Sequence, residues 1–311
     1  SKPHYIQYHN MKKVLVVYFS QSGQLKEIAD NFCKPLQENA SIDLDYYNIE
    51  MEQAFPFPWN GDAFYGAFPE TFQQIPQAFK APSDSILNKD YDLIVLCYQV
   101  WFLTPSIPIN SFLKSEFAQK ILNSKPVITI SGNRNMWAKA HDKVKALLVQ
   151  NGAHLVGNIA LTDRNPNLIS VITIVDWLFS GIKRKAYGIF PLPGVSDKEI
   201  IGASKYGSIL LPFLLKNNYE GLQPELVANG AIQFQHFLIS MDRKGNKLFQ
   251  VWSKIILNNP NKRKFYLKLF KIYLLTAIWI FSPIVQLIET ILYPILYFVR
   301  IKQDKKHYLG I

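Results

Sequence analysis

The chain is short of the residues that announce most chemistries. Among 311 residues there are two cysteines, six histidines and four methionines. Cys33 falls in a helix pattern and Cys97 in a strand pattern, and neither has metal-ligand spacing. A zinc module and a disulfide scaffold are therefore excluded, and both thiols are expected to be free and buried in a reducing compartment. No H-E-x-x-H, metal cluster or Ser-His-Asp order occurs, so zinc proteolysis and triad hydrolysis have no carrier and no metal is expected. There is no G-x-G-x-x-G and no P-loop lysine. The first residues lack a charged region followed by an apolar run, so no secretory signal is expected. Ser1 to Asn10 reads as a short extension ahead of Met11.

What is present is apolar. Hydrophobic residues make up 49% of the sequence, enough for one large domain with an appendage. The net charge is +11, but it is uneven. From Lys254 to Lys306 there are ten basic residues against two acidic, Glu289 and Asp304. These cations flank a long apolar run and form no polar groove, which argues against nucleic acid and for a membrane surface.

Val14 to Leu25, V-L-V-V-Y-F-S-Q-S-G-Q-L, organises the rest. Val14 to Phe19 reads as a strand covered on both faces. Ser20, Gln21, Ser22, Gly23, Gln24 and Leu25 then lead into a helix from about Gly23 to Glu38. A helix start offers unpaired N–H groups and a positive dipole end, the ordinary place to hold a phosphate. The loop has no Lys or Arg, so such a phosphate would be held by neutral donors. A plain serine-capped turn is the other reading.

Strands are expected at Leu44 to Ile49, Tyr91 to Tyr98, Pro126 to Ser131 and Leu155 to Leu161. Helices are expected at about Ile107 to Lys120 and Ala138 to Asn151. This alternation predicts an α/β fold, a parallel sheet with helices on both faces. Two stretches interrupt it. Residues 51–80 are rich in Phe, Pro, Trp and Tyr, and read either as a wall over a pocket or as a satellite core. Residues 162–195 delay the last helix, at Ile200 to Leu215, which the capping box Ser196–Glu199 announces. That insertion reads as a substrate lid or as an oligomer contact, such as one in a homodimer.

The loop Y-F-S-Q-S-G-Q-L resembles the FMN phosphate loop of flavodoxin-like proteins, with Leu25 where threonine is usual. Y-D-L-I-V-L-C-Y-Q-V-W-F-L-T-P resembles their third strand and flavin loop, with Gln99 and Leu103 in place of Pro and Gly. The resemblance implies a five-stranded sheet of order 2-1-3-4-5 with FMN at its switch point. It assigns FMN to residues 20–25, to Gln99, Val100, Trp101 and Phe102, and to Ser131, Gly132, Asn133 and Asn135. Tyr98 and His141 are the acid/base candidates, a packing tyrosine and a surface helix histidine being the alternatives.

The domain limits are expected at 11–220 for the flavin-binding part and 221–311 for a helical, basic tail. Another helix is expected at Glu225 to Gln235. Ile272 to Ile288 carries no charge over 17 residues, Pro283 interrupts it and Glu289 ends it. A hairpin dipping into the cytoplasmic leaflet is one reading, and a helical hairpin packed on the core or on a second copy is the other. A flavodoxin-like domain with these insertions and tail resembles the bacterial dialkylresorcinol-forming family. It implies an FMN-dependent aromatase that oxidises a 2,5-dialkylcyclohexane-1,3-dione beside a ketosynthase partner. A membrane-tethered electron carrier and an NAD(P)H:quinone reductase are the rivals.

Overall fold

The computed structural model describes residues 11–311, so the extension expected at Ser1 to Asn10 lies outside the described residues. Five parallel strands form one sheet: β1 (Lys12–Tyr18), β2 (Ile42–Asn48), β3 (Leu93–Tyr98), β4 (Pro126–Asn133) and β5 (His154–Thr162), in the order β2-β1-β3-β4-β5. This is the flavodoxin-like order, 2-1-3-4-5. Val14 pairs with Leu44 on one side and Leu93 on the other, and Ser131 pairs with Ala160.

The sheet is covered twice because its two central strands run apolar without a break, through Val14–Val17 and Leu93–Cys97. Val14 and Val16 face one layer with Ile28 and Phe32 of α1 (Gln24–Gln37), while Leu15 and Val17 face the other with Ile94 and Phe112. Successive side chains of a strand point to opposite faces, so an unbroken run demands helices on both. The second layer holds α2 (Ile107–Leu113) and α3 (Ala138–Gln150). The helix expected from Ile107 to Lys120 is two helices, because the Ser115 hydroxyl caps a new one at Glu116–Leu122 by accepting from the Ala118 N–H.

Beyond β5 run α4 (Asn167–Ser180), a short helix Asp197–Gly202 and α5 (Ser204–Lys216). Ser196 accepts from the Glu199 N–H, the first bond of the expected capping box, and its hydroxyl rather than its backbone N–H donates to the Glu199 carboxylate. The helix expected at Glu225 to Gln235 sits earlier, at Leu222–Ala228, and ends at Asn229 and Gly230.

The tail folds back over the carboxyl side of the sheet as α6 (His236–Asn258), α7 (Arg263–Thr276), α8 (Ser282–Ile291) and α9 (Lys302–Leu309). Pro283 does not break it: a π-helical turn at Ala277–Phe281 precedes the proline and absorbs its missing N–H. Glu289 is buried, accepts from Lys244 of α6 at 2.6 Å and from the Ser240 hydroxyl, and so ties α8 to α6. Arg243 donates to Asp304 at 2.7 Å, tying α6 to α9.

The tail also shares a core with the first insertion. Phe68 and Phe270 stack at 3.9 Å and 6°, with Phe72 and Phe249 around them, and Arg263 grips both oxygens of Glu70 at 2.8 and 2.7 Å. The opposite face of the tail is open: Ile272, Phe281, Leu287, Ile291, Ile295 and Phe298 are all exposed.

Candidate functional site

The loop after β1 carries the feature that singles out this end of the sheet. Among the described residues the N–H groups of Ser22, Gly23, Gln24 and Leu25 find no protein acceptor, whereas that of Lys26 is taken by the Ser20 hydroxyl at 3.3 Å and that of Glu27 by the Gly23 carbonyl. Gly23 has φ +91°, a left-handed conformation that turns these donors outward. Four unpaired donors at the start of a 14-residue helix make an anion site without any cation. Lys26 is turned away, held by Asp30 at 2.6 Å.

A cavity of about 260 Å³ opens in front of this loop. Gln21, Ser22, Gln24 and Leu25 form one side; Gln99, Val100, Trp101 and Phe102 form another; Gly132 and Asn133 close the floor. Ser20 and Gly23 shape the loop from behind. Of the other residues expected to bind the cofactor, Ser131 is fully buried and accepts from Asn133 at 2.8 Å, and Asn135 bonds to Asn167. Both therefore support the floor from outside the cavity.

Both insertions supply walls. Trp59 and Phe64 come from the first, and Ile174, Trp177, Leu178 and Gly194 from the second. Trp101 is fixed edge-on by Phe55 at 5.0 Å, Trp59 at 5.4 Å and Phe19 at 6.1 Å. The loop glutamines hold these walls: Gln21 donates to the Pro56 carbonyl at 2.9 Å and accepts from the Trp59 indole at 3.0 Å, while Gln24 accepts from the Val195 N–H at 3.1 Å. Trp59 in turn donates through its backbone to Leu178.

Trp101 and Phe102 sit on a two-residue hairpin, Val100–Trp101 against Thr104–Pro105, whose turn residues Phe102 and Leu103 have φ +49° and +62°. Such turns normally carry Asn-Gly, and bulky residues there cost of the order of 1–3 kcal/mol each. Lys143 holds the turn by donating to the Thr104 hydroxyl at 2.7 Å, and its ammonium lies 4.0 Å from the Phe72 ring; burial pushes its pKa down to about 8.

Tyr98 and His141 are not brought to the cavity. They face each other in the core, Tyr98 hydroxyl to His141 Nδ1 at 3.2 Å, and His141 is only 2% exposed. Burial pushes the His141 pKa down to about 3 and the Tyr98 hydroxyl up, so neither exchanges a proton near neutrality. The expected acid/base role, and the surface-histidine alternative, are both corrected by this burial.

One residue missed in the sequence replaces them. Arg134 lines the cavity and is its sole titratable side chain among the described residues. Its Nη1 donates to the Asn167 carbonyl and side chain and to Ser170, and burial lowers its pKa to about 10, which leaves it charged. Two buried acceptors, Gln99 Oε1 and Asn133 Oδ1, have no protein partner. Free N–H donors, aromatic walls and two lining residues whose buried amide oxygens lack a partner fit a flat polar ring that carries a phosphate.

No family model matches the chain, and no curated protein matches it. Among solved structures it is similar to a flavoprotein from Lactobacillus acidophilus NCFM in complex with FMN, at 18% identity over 48% of this chain and 93% of that one, with a TM-score of 0.38. It is similar to oxidised flavodoxin 1 from Bacillus cereus at 15% identity, covering 63% and 95%, with a TM-score of 0.36. A flavodoxin from the domain Archaea gives 12% identity, 65% and 98%, and 0.36.

Proposed function

We propose that the cavity binds FMN and that the protein is an FMN-dependent oxidoreductase. The observation that carries this reading is the meeting, around one cavity, of the unpaired N–H donors of Ser22, Gln24 and Leu25, the Trp101 and Trp59 walls, and Gln99 and Asn133, whose amide oxygens lack a protein partner. Ser22 and the start of α1 would hold the phosphate, Trp101 and Phe102 would lie against the ring, and Gln99, Gly132 and Asn133 would meet its polar edge. Bound there, FMN would supply a two-electron acceptor.

The finer reading is an aromatase that removes two hydrogens, as a hydride and a proton, from a 2,5-dialkylcyclohexane-1,3-dione to leave the resorcinol. A 1,3-dione is acidic between its carbonyls and loses that proton to neutral water. Among the described residues no histidine or carboxylate lines the cavity wall, which is consistent with this substrate, and a cation suits the enolate. The open apolar face of the tail, with Lys262, Lys264 and Lys268 before it and Lys302, Lys305 and Lys306 after it, supports attachment to the cytoplasmic face of an anionic membrane, where a dialkyl substrate would be dissolved.

The test is spectral. The isolated protein should be yellow and release FMN on denaturation. A dialkylcyclohexanedione should bleach it without air, and air should restore the colour with resorcinol formed. A colourless protein that refuses FMN removes the reading. Rapid bleaching by NADPH alone would replace the aromatase with a quinone reductase.

A further inference from the structure

A second chamber of about 540 Å³ lies between the sheet body and the tail, within the size range of ligand sites. Its walls are almost entirely carbon: Leu103, Met241, Leu248, Phe249, Ile278 and Val285 represent them. The polar groups at its edge are engaged elsewhere. Lys244 is bonded to Glu289 and Ser240, and Asn167 to Arg134. A void of this size forfeits packing on every wall, and an apolar occupant would restore it.

The chamber and the cofactor cavity share Phe64, Phe102 and Arg134. The strained turn divides its two side chains between them, Phe102 on the common wall and Leu103 in the chamber alone. Leu103 reaches α6 at Gly245, where an added Cβ would stand 2.7 Å from Leu103 Cδ1. At the neck, every side-chain hydrogen bond of Arg134 to the described residues is donated by Nη1, which leaves Nε and Nη2 for a ligand. A planar guanidinium between an apolar and an aromatic compartment selects a planar anion, such as a carboxylate or an enolate, that carries a hydrocarbon chain.

We propose that this chamber binds the alkyl chain of an anionic amphiphile and that Arg134 holds the acidic oxygen of its head beside the cofactor cavity. The assignment deepens the flavoprotein reading and rests on it for the ring next to the head. The tail is thereby the roof of the substrate site as well as its route from lipid.

The test uses the full-length protein with cis-parinaric acid, a carboxylate on one fluorescent chain, and its methyl ester as the neutral twin. Both should saturate at one per chain, the acid about tenfold tighter. Met241→Trp and, as a second filling variant, Leu248→Trp should each weaken both probes at least tenfold with the thermal melt retained. Arg134→Met should bring the acid to the ester's affinity and leave the ester unchanged, and Phe298→Ser on the open face should change neither. Binding that survives both tryptophans, that is lost in Phe298→Ser, or that falls equally for both probes in Arg134→Met overturns the proposal. Flavin absorbance is scored separately on each preparation. Probe binding without flavin removes the earlier reading and keeps the chamber, and flavin without probe binding removes the chamber alone.

Discussion

Replacing Phe270 by alanine asks whether the tail and the cofactor wall are one body. The ring is fully buried, stacked on Phe68 and edged by Phe249 at 5.4 Å and Trp252 at 5.9 Å. Burial of a phenylalanine is worth up to about 3 kcal/mol, and its aromatic partners add roughly 0.5–1.5 kcal/mol. The Arg263–Glu70 fork holds the two backbones apart, so the void cannot collapse, and a loss of about 4 kcal/mol is expected, within the usual range for Phe→Ala. In a chain of this size that lowers Tm by about 6 °C. Phe68 also touches Phe102 at 5.4 Å, so the loosened layer should raise the Kd for FMN as well. The assay is thermal and urea unfolding beside a flavin titration. A loss below about 1 kcal/mol, or two separate transitions of which only one moves, would refute the reasoning.

Two buried ionisable groups give opposite pH dependences. Asp242, which accepts from the Lys139 N–H at 2.9 Å, has its pKa raised by burial to about 7, against 3.8 unfolded. The folded chain therefore holds that proton more tightly, and stability declines as pH rises from about 4 to 7; Asp242→Asn should recover as much as about 4 kcal/mol above pH 7 in urea titrations. His141 behaves conversely: with a folded pKa of about 3 against 6.5 unfolded, stability declines as pH falls below 6.5, and His141→Gln should flatten that decline in the same assay. Leu103→Gly removes the strain at φ +62° together with a chamber contact. Melting should move by less than about 1 kcal/mol while cis-parinaric acid affinity falls severalfold.

The sheet was legible because Val14 to Val17 and Leu93 to Tyr98 leave no polar face, so no other packing could cover them. The loop after β1 was legible for the same local reason, a strand stopping at Ser20 before a helical period. The breaks inside helices were less so: Ser115 lies in a short polar stretch, Lys114-Ser115-Glu116, that a continuous helix could carry on its exposed face, and only its bond to the Ala118 N–H shows a cap. Tyr98 and His141 misled because a strand end and a helix start look exposed in sequence, while α6 and α9 come from far along the chain to bury that corner, Trp137 meeting Tyr308 at 5.9 Å. Arg134 was missed because a cation three residues beyond Ser131 carries no period, and the chamber it guards exists through contacts more than a hundred residues apart.

The loop glutamines show how the two insertions are held to one site. In a loop read as a phosphate cradle, Gln21 and Gln24 were expected to face the cofactor. Their side chains instead bond outward, Gln21 to Pro56 and Trp59 and Gln24 to Val195. The loop after β1 is thus the common anchor of both walls, and closing the cavity is coupled to ordering the loop that is proposed to hold the phosphate. Gln24→Ala removes the tie between the loop and the second wall while leaving every backbone N–H donor in place. Each lost bond is worth roughly 1 kcal/mol. Because the phosphate contact is unchanged, the dissociation rate of FMN should rise about fivefold with little change in the association rate. Stopped-flow flavin fluorescence reads both rates. A fall in the association rate alone would mean that Gln24 orders the donors and that the wall plays no part in retention.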